Sequence, residues 1–379
     1  MKILLLGNYV NNRQESMQRF AELMREGLTV AGYEVRLVRP PLVFGRLRRS
    51  ETGLGKWLGY ADRFVLYPAI LRRQLRWADV VHICDQANAV YIPYLLGKPH
   101  VLTCHDMLAI RAAFGEIAES PTGWTGRIYQ RWILSNLRKA QAVACVSRQT
   151  EEELQRLAGL SGKRVTIVPN ALNYPYHPME KDEARARLNS LGLTGPAPFF
   201  LHVGSNDWYK NRIGVLRIFA ELVKHPGYEA HRLVMAGKPW TAEMRQLTHD
   251  LGLREHVVEL VEVSNEDLCA LYSTAEALLF PSLAEGFGWP IIEAQACGCA
   301  VITTSRAPMT EVSGGAAVFI DPAQPEQSAA AIASMWPRRG ELVQAGSLNA
   351  RRYELSNMID GYLGAYTSVI ETTPATERR

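Results

Sequence analysis

Two doubly wound α/β domains in one chain are the architecture this sequence predicts. Three observations carry it. Short apolar strands alternate with helical segments through both halves, the pattern of parallel sheets covered on both faces. The alternation occurs twice, on either side of an aromatic and proline-rich junction, Asn173-Tyr174-Pro175-Tyr176-His177-Pro178. A chain of 379 residues, 47% hydrophobic, is too long for one ordinary core and suits two.

In the first half, strands are expected at 2–6, 34–38, 79–83, 101–104, 142–146 and 165–168. Between the first two, Met17, Phe20, Ala21, Met24 and Leu28 recur at helical spacing. Ser147 is placed to cap a helix running through Glu152 and Leu154. In the second half, strands are expected at 198–203, 232–236, 257–261, 277–280, 300–304 and 317–320. Helices are expected near 212–224, 241–251, 265–274, 290–297 and 325–335. The expected domains are 1–178 and 179–348. A last helical segment, about 349–371, is long for one small domain, and the final residues, 372–379, read as a frayed tail.

Composition narrows the class. No apolar run approaches the roughly 18 to 20 residues of a membrane span. Lys2-Ile3-Leu4-Leu5-Leu6-Gly7 reads as strand then turn, not as a secretory signal. The cysteines, Cys84, Cys104, Cys145, Cys269, Cys297 and Cys299, lie mostly in apolar segments, as buried thiols do. Cys297-Gly298-Cys299 has the wrong spacing for a redox motif and no second pair for zinc. A reduced, cytoplasmic protein without metal, cofactor or nucleic-acid partner is expected. Residues 1–150 hold 21 basic and 11 acidic residues, a balance of +10. Such a basic half points to an anionic partner.

The most informative string is Pro281-Ser282-Leu283-Ala284-Glu285-Gly286-Phe287-Gly288-Trp289-Pro290-Ile291-Ile292-Glu293-Ala294. It follows the apolar strand 277–280, so it sits at a strand's carboxyl end, where open α/β sheets bind ligands. Gly286 and Gly288 let backbone approach a ligand, and the free N–H groups of the helix start favour an anion such as a diphosphate. Pro290 fits the first helical turn. A carboxylate accepts hydrogen bonds, so Glu293 can hold ribose hydroxyls and Glu285 those of a sugar. Diphosphate, ribose and sugar together describe a nucleotide-sugar.

This string, continued by Ala294-Gln295-Ala296-Cys297-Gly298, resembles the E-x7-E signature of glycosyltransferase family 4. The resemblance extends through 300–305, Pro308-Met309-Thr310-Glu311-Val312 and Ile320-Asp321-Pro322. Upstream it takes in Val203-Gly204, Lys210-Asn211, Val146-Ser147 and Val168-Pro169-Asn170. It implies a GT-B fold, two Rossmann-like domains facing each other across a cleft, with the terminal helix crossing back onto the first. It also implies a retaining, metal-independent transferase using a UDP- or GDP-linked sugar as donor substrate. A glycan or lipid-linked compound would be the acceptor.

The resemblance sharpens several further positions. In the family, the loop after the first strand of the second domain supplies an Arg and then a Lys to the diphosphate. Here Lys210 matches the Lys. Ser205 and Asn206 stand at the Arg position, with Gly204 before them and Arg212 as a substitute cation. A cation there stabilises the departing diphosphate more than the bound donor. Thr103-Cys104-His105-Asp106 resembles the segment that brings a histidine to the acceptor side, and His82 and Asp85 end the neighbouring strand. The expected catalytic residues are therefore His105, Lys210 and Glu285. Donor contacts are expected from Gly7, Gly204, Ser205, Lys210, Arg212, Ser282, Glu285, Gly286, Phe287, Gly288 and Glu293. His82, Asp85, His105 and Asp106 are expected on the acceptor side.

The first turn, Gly7-Asn8-Tyr9, lacks the family's Gly-Gly pair, and equally lacks the G-x-G-x-x-G of a dinucleotide-binding dehydrogenase. Gly53-Leu54-Gly55-Lys56 follows no strand and reads as a surface turn. Residues 45–77 carry eight basic residues and two acids, interleaved with Trp57, Tyr60, Phe64 and Tyr67. That segment reads either as a solvated basic face or as a dock for an anionic membrane surface. Two other functions stay open at this level: a sugar-nucleotide epimerase or hydrolase on the same fold, and a non-catalytic nucleotide-sugar-binding protein.

Overall fold

The computed structural model describes residues 1–12, 15–47, 53–95 and 97–373. Arg48, Arg49 and Glu51 of the basic segment and the tail from Pro374 lie outside the described residues. The chain forms two compact units, Met1–Asn173 with Leu355–Arg379, and Tyr174–Glu354.

The first unit holds a parallel six-stranded sheet of β1 (Lys2–Leu6), β2 (Glu34–Val38), β3 (Val80–Ile83), β4 (His100–Cys104), β5 (Ala142–Cys145) and β6 (Val165–Ile167). Their order is β2-β1-β3-β4-β5-β6. Ile3 pairs with Val80 and His82 with Val101, so every central strand is buried on both faces. The reversal of order at β1 is the switch point that opens a crevice at the strands' carboxyl ends.

The helix Glu15–Val30 buries Phe20, Ala21, Met24, Gly27 and Leu28. Gly27 is small because the helix Leu355–Thr372 crosses it there, and a Cβ would come within 2.7 Å of Ile359 Cδ1. One continuous helix over 349–371 is not formed. The chain makes a helix Arg339–Ala350, a short turn Arg351–Tyr353, and restarts at Leu355 after an extended Glu354. The buried Asn349 donates to Gln295 and to the Val312 carbonyl, both at 2.8 Å, and so pins the first helix to the second unit. Gly53-Leu54-Gly55-Lys56 is also not a turn: it opens the helix Gly53–Ala61, which continues into a π-helical Asp62–Leu66 and the helix Tyr67–Leu75.

The second unit repeats the scheme with β7 (Phe199–Gly204), β8 (Arg232–Gly237), β9 (Val257–Val261), β10 (Ala277–Phe280), β11 (Ala300–Thr304) and β12 (Val318–Ile320). Its order is β12-β11-β10-β7-β8-β9, all parallel. Here the switch point lies between β7 and β10, the two strands whose following loops carry Lys210 and Glu285. Gly204 and Gly237 end adjacent strands so closely that a Cβ on Gly237 would lie 2.0 Å from the Gly204 carbonyl oxygen.

Candidate active site

The loops after β7 and β10 are stitched together by backbone and by one asparagine. Asn211 adopts a left-handed conformation at φ 52° and caps the helix Arg212–Leu222, its Oδ1 accepting from the Gly214 N–H at 3.2 Å. Its Nδ2 donates across to the Pro281 carbonyl at 3.0 Å, and the Leu283 N–H donates to the Tyr209 carbonyl at 2.7 Å. These bonds bring Lys210 Nζ to 2.7 Å from Glu285 Oε1. The two side chains are only 16% and 8% exposed. The ammonium also lies 5.2 Å from the Phe280 ring centre and 5.4 Å from that of Tyr209, within cation–π range. A bound diphosphate would compete with Glu285 for this cation, leaving the carboxylate free to accept from hydroxyls.

The other donor-side residues divide. Glu293 is buried on the helix Trp289–Ala296, and its Oε2 accepts from the Tyr272 hydroxyl at 2.9 Å. Tyr272, fully buried, is the positioning partner that sequence reasoning did not identify. Burial first, then the Glu293 charge, holds its hydroxyl well above the usual range, so it stays a donor. Gly288, at φ 101°, starts this helix, and Phe287 is buried against Tyr353. The Ser282 side chain is fully buried with no partner for its Oγ among the described residues, while its carbonyl accepts from Thr304 at 3.2 Å.

Ser205 and Arg212 depart from expectation. The Ser205 hydroxyl donates to the Asp207 carboxylate inside its own turn. Arg212 is 4% exposed and does not reach outward. Its Nη1 donates to the Lys238 carbonyl at 2.7 Å and to Asn206 Oδ1, tying the loops after β7 and β8 together. Its Nε and Nη2 are buried without a partner among the described residues, so only Nη1 is spent on the strut between these loops. Among the expected donor cations, this leaves Lys210 facing Glu285. Beneath them, His202 Nδ1 donates to the Leu279 carbonyl at 2.9 Å, and burial holds its pKa down at about 3, so it is neutral.

In the first unit, a buried polar cluster lies at the ends of β1, β3 and β4. Asn8 Nδ2 donates to Asp85, Asn88 Nδ2 donates to Asn8 Oδ1 at 2.6 Å, and the Ala87 N–H donates to Asp85 Oδ1 at 2.7 Å. His105, 4% exposed, meets the Cys84 carbonyl through Nε2 at 2.9 Å and packs edge-on against Phe20. Burial lowers its pKa against the opposing pull of Asp85, and its Nδ1 has no partner among the described residues. Asp106 accepts from the Leu108 N–H at 2.9 Å. The Gly7 N–H donates to the Val38 carbonyl at 3.0 Å, and a Cβ there would press on Arg39 and Leu37 at 3.1 Å.

His82 is a correction. It is fully buried, with Nδ1 on the Tyr366 hydroxyl and Nε2 on the Thr103 hydroxyl, each at 2.7 Å. Thr103 in turn meets the Tyr362 hydroxyl at 2.8 Å. A strand residue whose side chain points into the sheet face under a helix cannot also face the crevice, and His82 instead fastens the helix Leu355–Thr372 to β3 and β4. Asn8 and Asn88, which do join Asp85, were not singled out in the sequence. Their signal was polarity directly after β1 and β3.

The chain is similar to known glycosyltransferases along most of its length. The family described as "Glycosyl transferases group 1" matches residues 185–352, and "Glycosyltransferase Family 4" matches residues 17–174. A D-inositol 3-phosphate glycosyltransferase of Acidothermus cellulolyticus is 28% identical, over 82% of this chain and 73% of its own. An O-antigen chain mannosyltransferase of Salmonella typhimurium is 24% identical, over 86% and 83%. Sucrose-phosphate synthase from Thermosynechococcus elongatus superposes with a TM-score of 0.76 at 18% identity, over 98% of this chain and 99% of its own. Anabaena HepE, in complex with UDP-glucose, superposes at 0.73 and 15%, over 97% and 100%. With two matching family halves and a parallel six-stranded sheet in each unit, the chain belongs to the family 4 glycosyltransferases and has the GT-B fold.

Proposed function

We propose that this glycosyltransferase moves a hexose from a nucleoside-diphosphate sugar to a glycan or lipid-linked acceptor, with retention at the anomeric carbon and without a metal ion. The observation that carries the reading is the Lys210–Glu285 pair at 2.7 Å beside the Gly286–Gly288 turn. Lys210 would take the charge that grows on the departing diphosphate, helped by the N–H groups at the start of the helix Trp289–Ala296. Glu285 would hold hydroxyls of the transferred sugar and Glu293 those of the ribose. The incoming hydroxyl would attack from the face that the diphosphate leaves and pass its proton to a diphosphate oxygen, so no protein nucleophile is required. Because Lys210 supplies the positive charge, a divalent cation is not needed for it. His105 and Asp85 would serve the acceptor side. The related proteins include one solved with UDP-glucose and one named a mannosyltransferase, which supports a UDP- or GDP-linked donor. The basic first half suits work at the inner face of a membrane.

The test is a panel of UDP- and GDP-sugars scored for thermal stabilisation, then for transfer in the presence of EDTA. NMR of the new linkage reads the anomeric configuration. Stabilisation by a donor followed by a retained linkage in EDTA is the expected result. Loss of transfer in EDTA, or inversion, would overturn the mechanism. Sugar release without any glycosylated acceptor would make the chain a hydrolase.

A further inference from the structure

The first unit presents a cationic and aromatic face that the donor chemistry does not use. On the helix Trp124–Leu137, Trp124, Ile128 and Trp132 are 74%, 57% and 39% exposed. At about 100° per residue these three form one stripe, and Arg127 and Arg131, both exposed, share its arc. The same helix buries Ile133, Leu134 and Leu137, so the stripe is additional to its core face. Residues 121–141 contain four basic residues and no acid.

A second element extends the face. Phe64 packs on Trp132 at 5.2 Å between ring centres, Tyr60 stacks on Tyr129 at 6.4 Å, and Trp57, 66% exposed, meets Tyr60 at 5.7 Å. The acid in this stretch is turned away. Asp62 is fully buried, accepting the Tyr9 hydroxyl at 2.8 Å and the Phe44 and Gly45 N–H groups at 2.9 Å.

Exposed Trp and Ile beside arginines match the boundary layer of a bilayer. Indoles sit at headgroup level, and guanidinium groups reach phosphates over their own apolar stems. Charge selects the kind of bilayer, because the arginines need an anionic counterpart and this helix supplies none. We propose that Trp124, Arg127, Ile128, Arg131 and Trp132, with Trp57, dock the chain on an anionic phospholipid surface. The proposal centres the docking element on this helix, outside residues 45–77, and leaves out Arg72 and Arg73, exposed on the helix Tyr67–Leu75. The proposal deepens the lipid-linked acceptor reading, but its test uses no turnover, so the failure of one is separable from the failure of the other.

The full chain is co-sedimented with phosphatidylcholine vesicles and with vesicles containing 30% phosphatidylglycerol (about one anionic lipid in three), at low and high salt. Binding is expected to the anionic vesicles only, and to weaken with salt. Arg127→Ser with Arg131→Ser should lower it about thirtyfold, the sum of two basic contacts. Trp124→Ser with Ile128→Ser should also lower it, while Arg72→Ser with Arg73→Ser should not. Circular dichroism and melting temperature should be unchanged in all three, since the replaced side chains are exposed. Equal binding to neutral vesicles, or an equal loss from the Arg72/Arg73 variant, would overturn the proposal. So would absent vesicle binding together with self-association that the Trp124/Ile128 variant abolishes, which would assign the face to a second copy.

Discussion

Replacing Lys210 by methionine keeps the aliphatic stem and removes the ammonium. Two costs follow, and the structure separates them. In turnover, on the proposed function, the departing diphosphate loses its cation. A donor of this kind is worth about 2–4 kcal/mol of transition-state stabilisation, so turnover should fall about 30- to 1,000-fold. Arg212 Nη1 is already engaged by Asn206 and Lys238. In stability, Glu285 is left without its partner at 8% side-chain exposure. Breaking a fully buried pair costs about 3–5 kcal/mol. Lys210 keeps 16% exposure at the mouth of the sheet, so about 1–3 kcal/mol is expected for this pair. Glu285→Gln and the double variant complete a cycle, read by denaturant unfolding and by nucleoside diphosphate release. A fall in turnover of less than tenfold would refute the assignment of Lys210 to the diphosphate. Additive unfolding energies would refute the ion pair itself.

Three further predictions follow from neighbouring features. Glu293→Gln should weaken nucleoside diphosphate binding while leaving the fold intact, because the amide oxygen can still accept from Tyr272 but carries no charge; unchanged affinity in calorimetry would remove Glu293 from the site. His82 and His202 each have a folded pKa of about 3 against an ordinary 6.5, because burial disfavours the charged ring. The unfolded chain therefore takes up protons first as pH falls, and the stability present above 6.5 is lost between there and 3, by about 2 kcal/mol per histidine at pH 5. Urea unfolding that is no weaker at pH 5 than at pH 7.5 would contradict their neutral burial. Gly237→Ala would place a Cβ against the Gly204 carbonyl at a φ of 148°, and should cost about 2–4 kcal/mol of stability, read as a lowered melting temperature of the second unit.

The fold class was legible in the sequence because parallel strands buried on both faces must be continuous apolar runs, and helices between them must show their own period. Both sheets follow from that pattern, and β1, β2, β9, β10 and β11 fall on the expected residues. The string Pro281–Ala294 was legible too, since its turn glycines, helix-start proline and carboxylates are adjacent in the chain. What tertiary structure alone decided depends on residues far apart in sequence. Glu285 meets Lys210 across 75 positions, and His82 meets Tyr366 across 284. Strand periodicity could not say which face of β3 the helix Leu355–Thr372 would cover, so it could not show that His82 belongs to the core. Nor could spacing reveal that Arg212 points into the loops, since a helix's first residue can turn its head either way until its neighbours are in place. A side chain's chemistry is written in the chain, but its partner and its exposure are set by the packing around it.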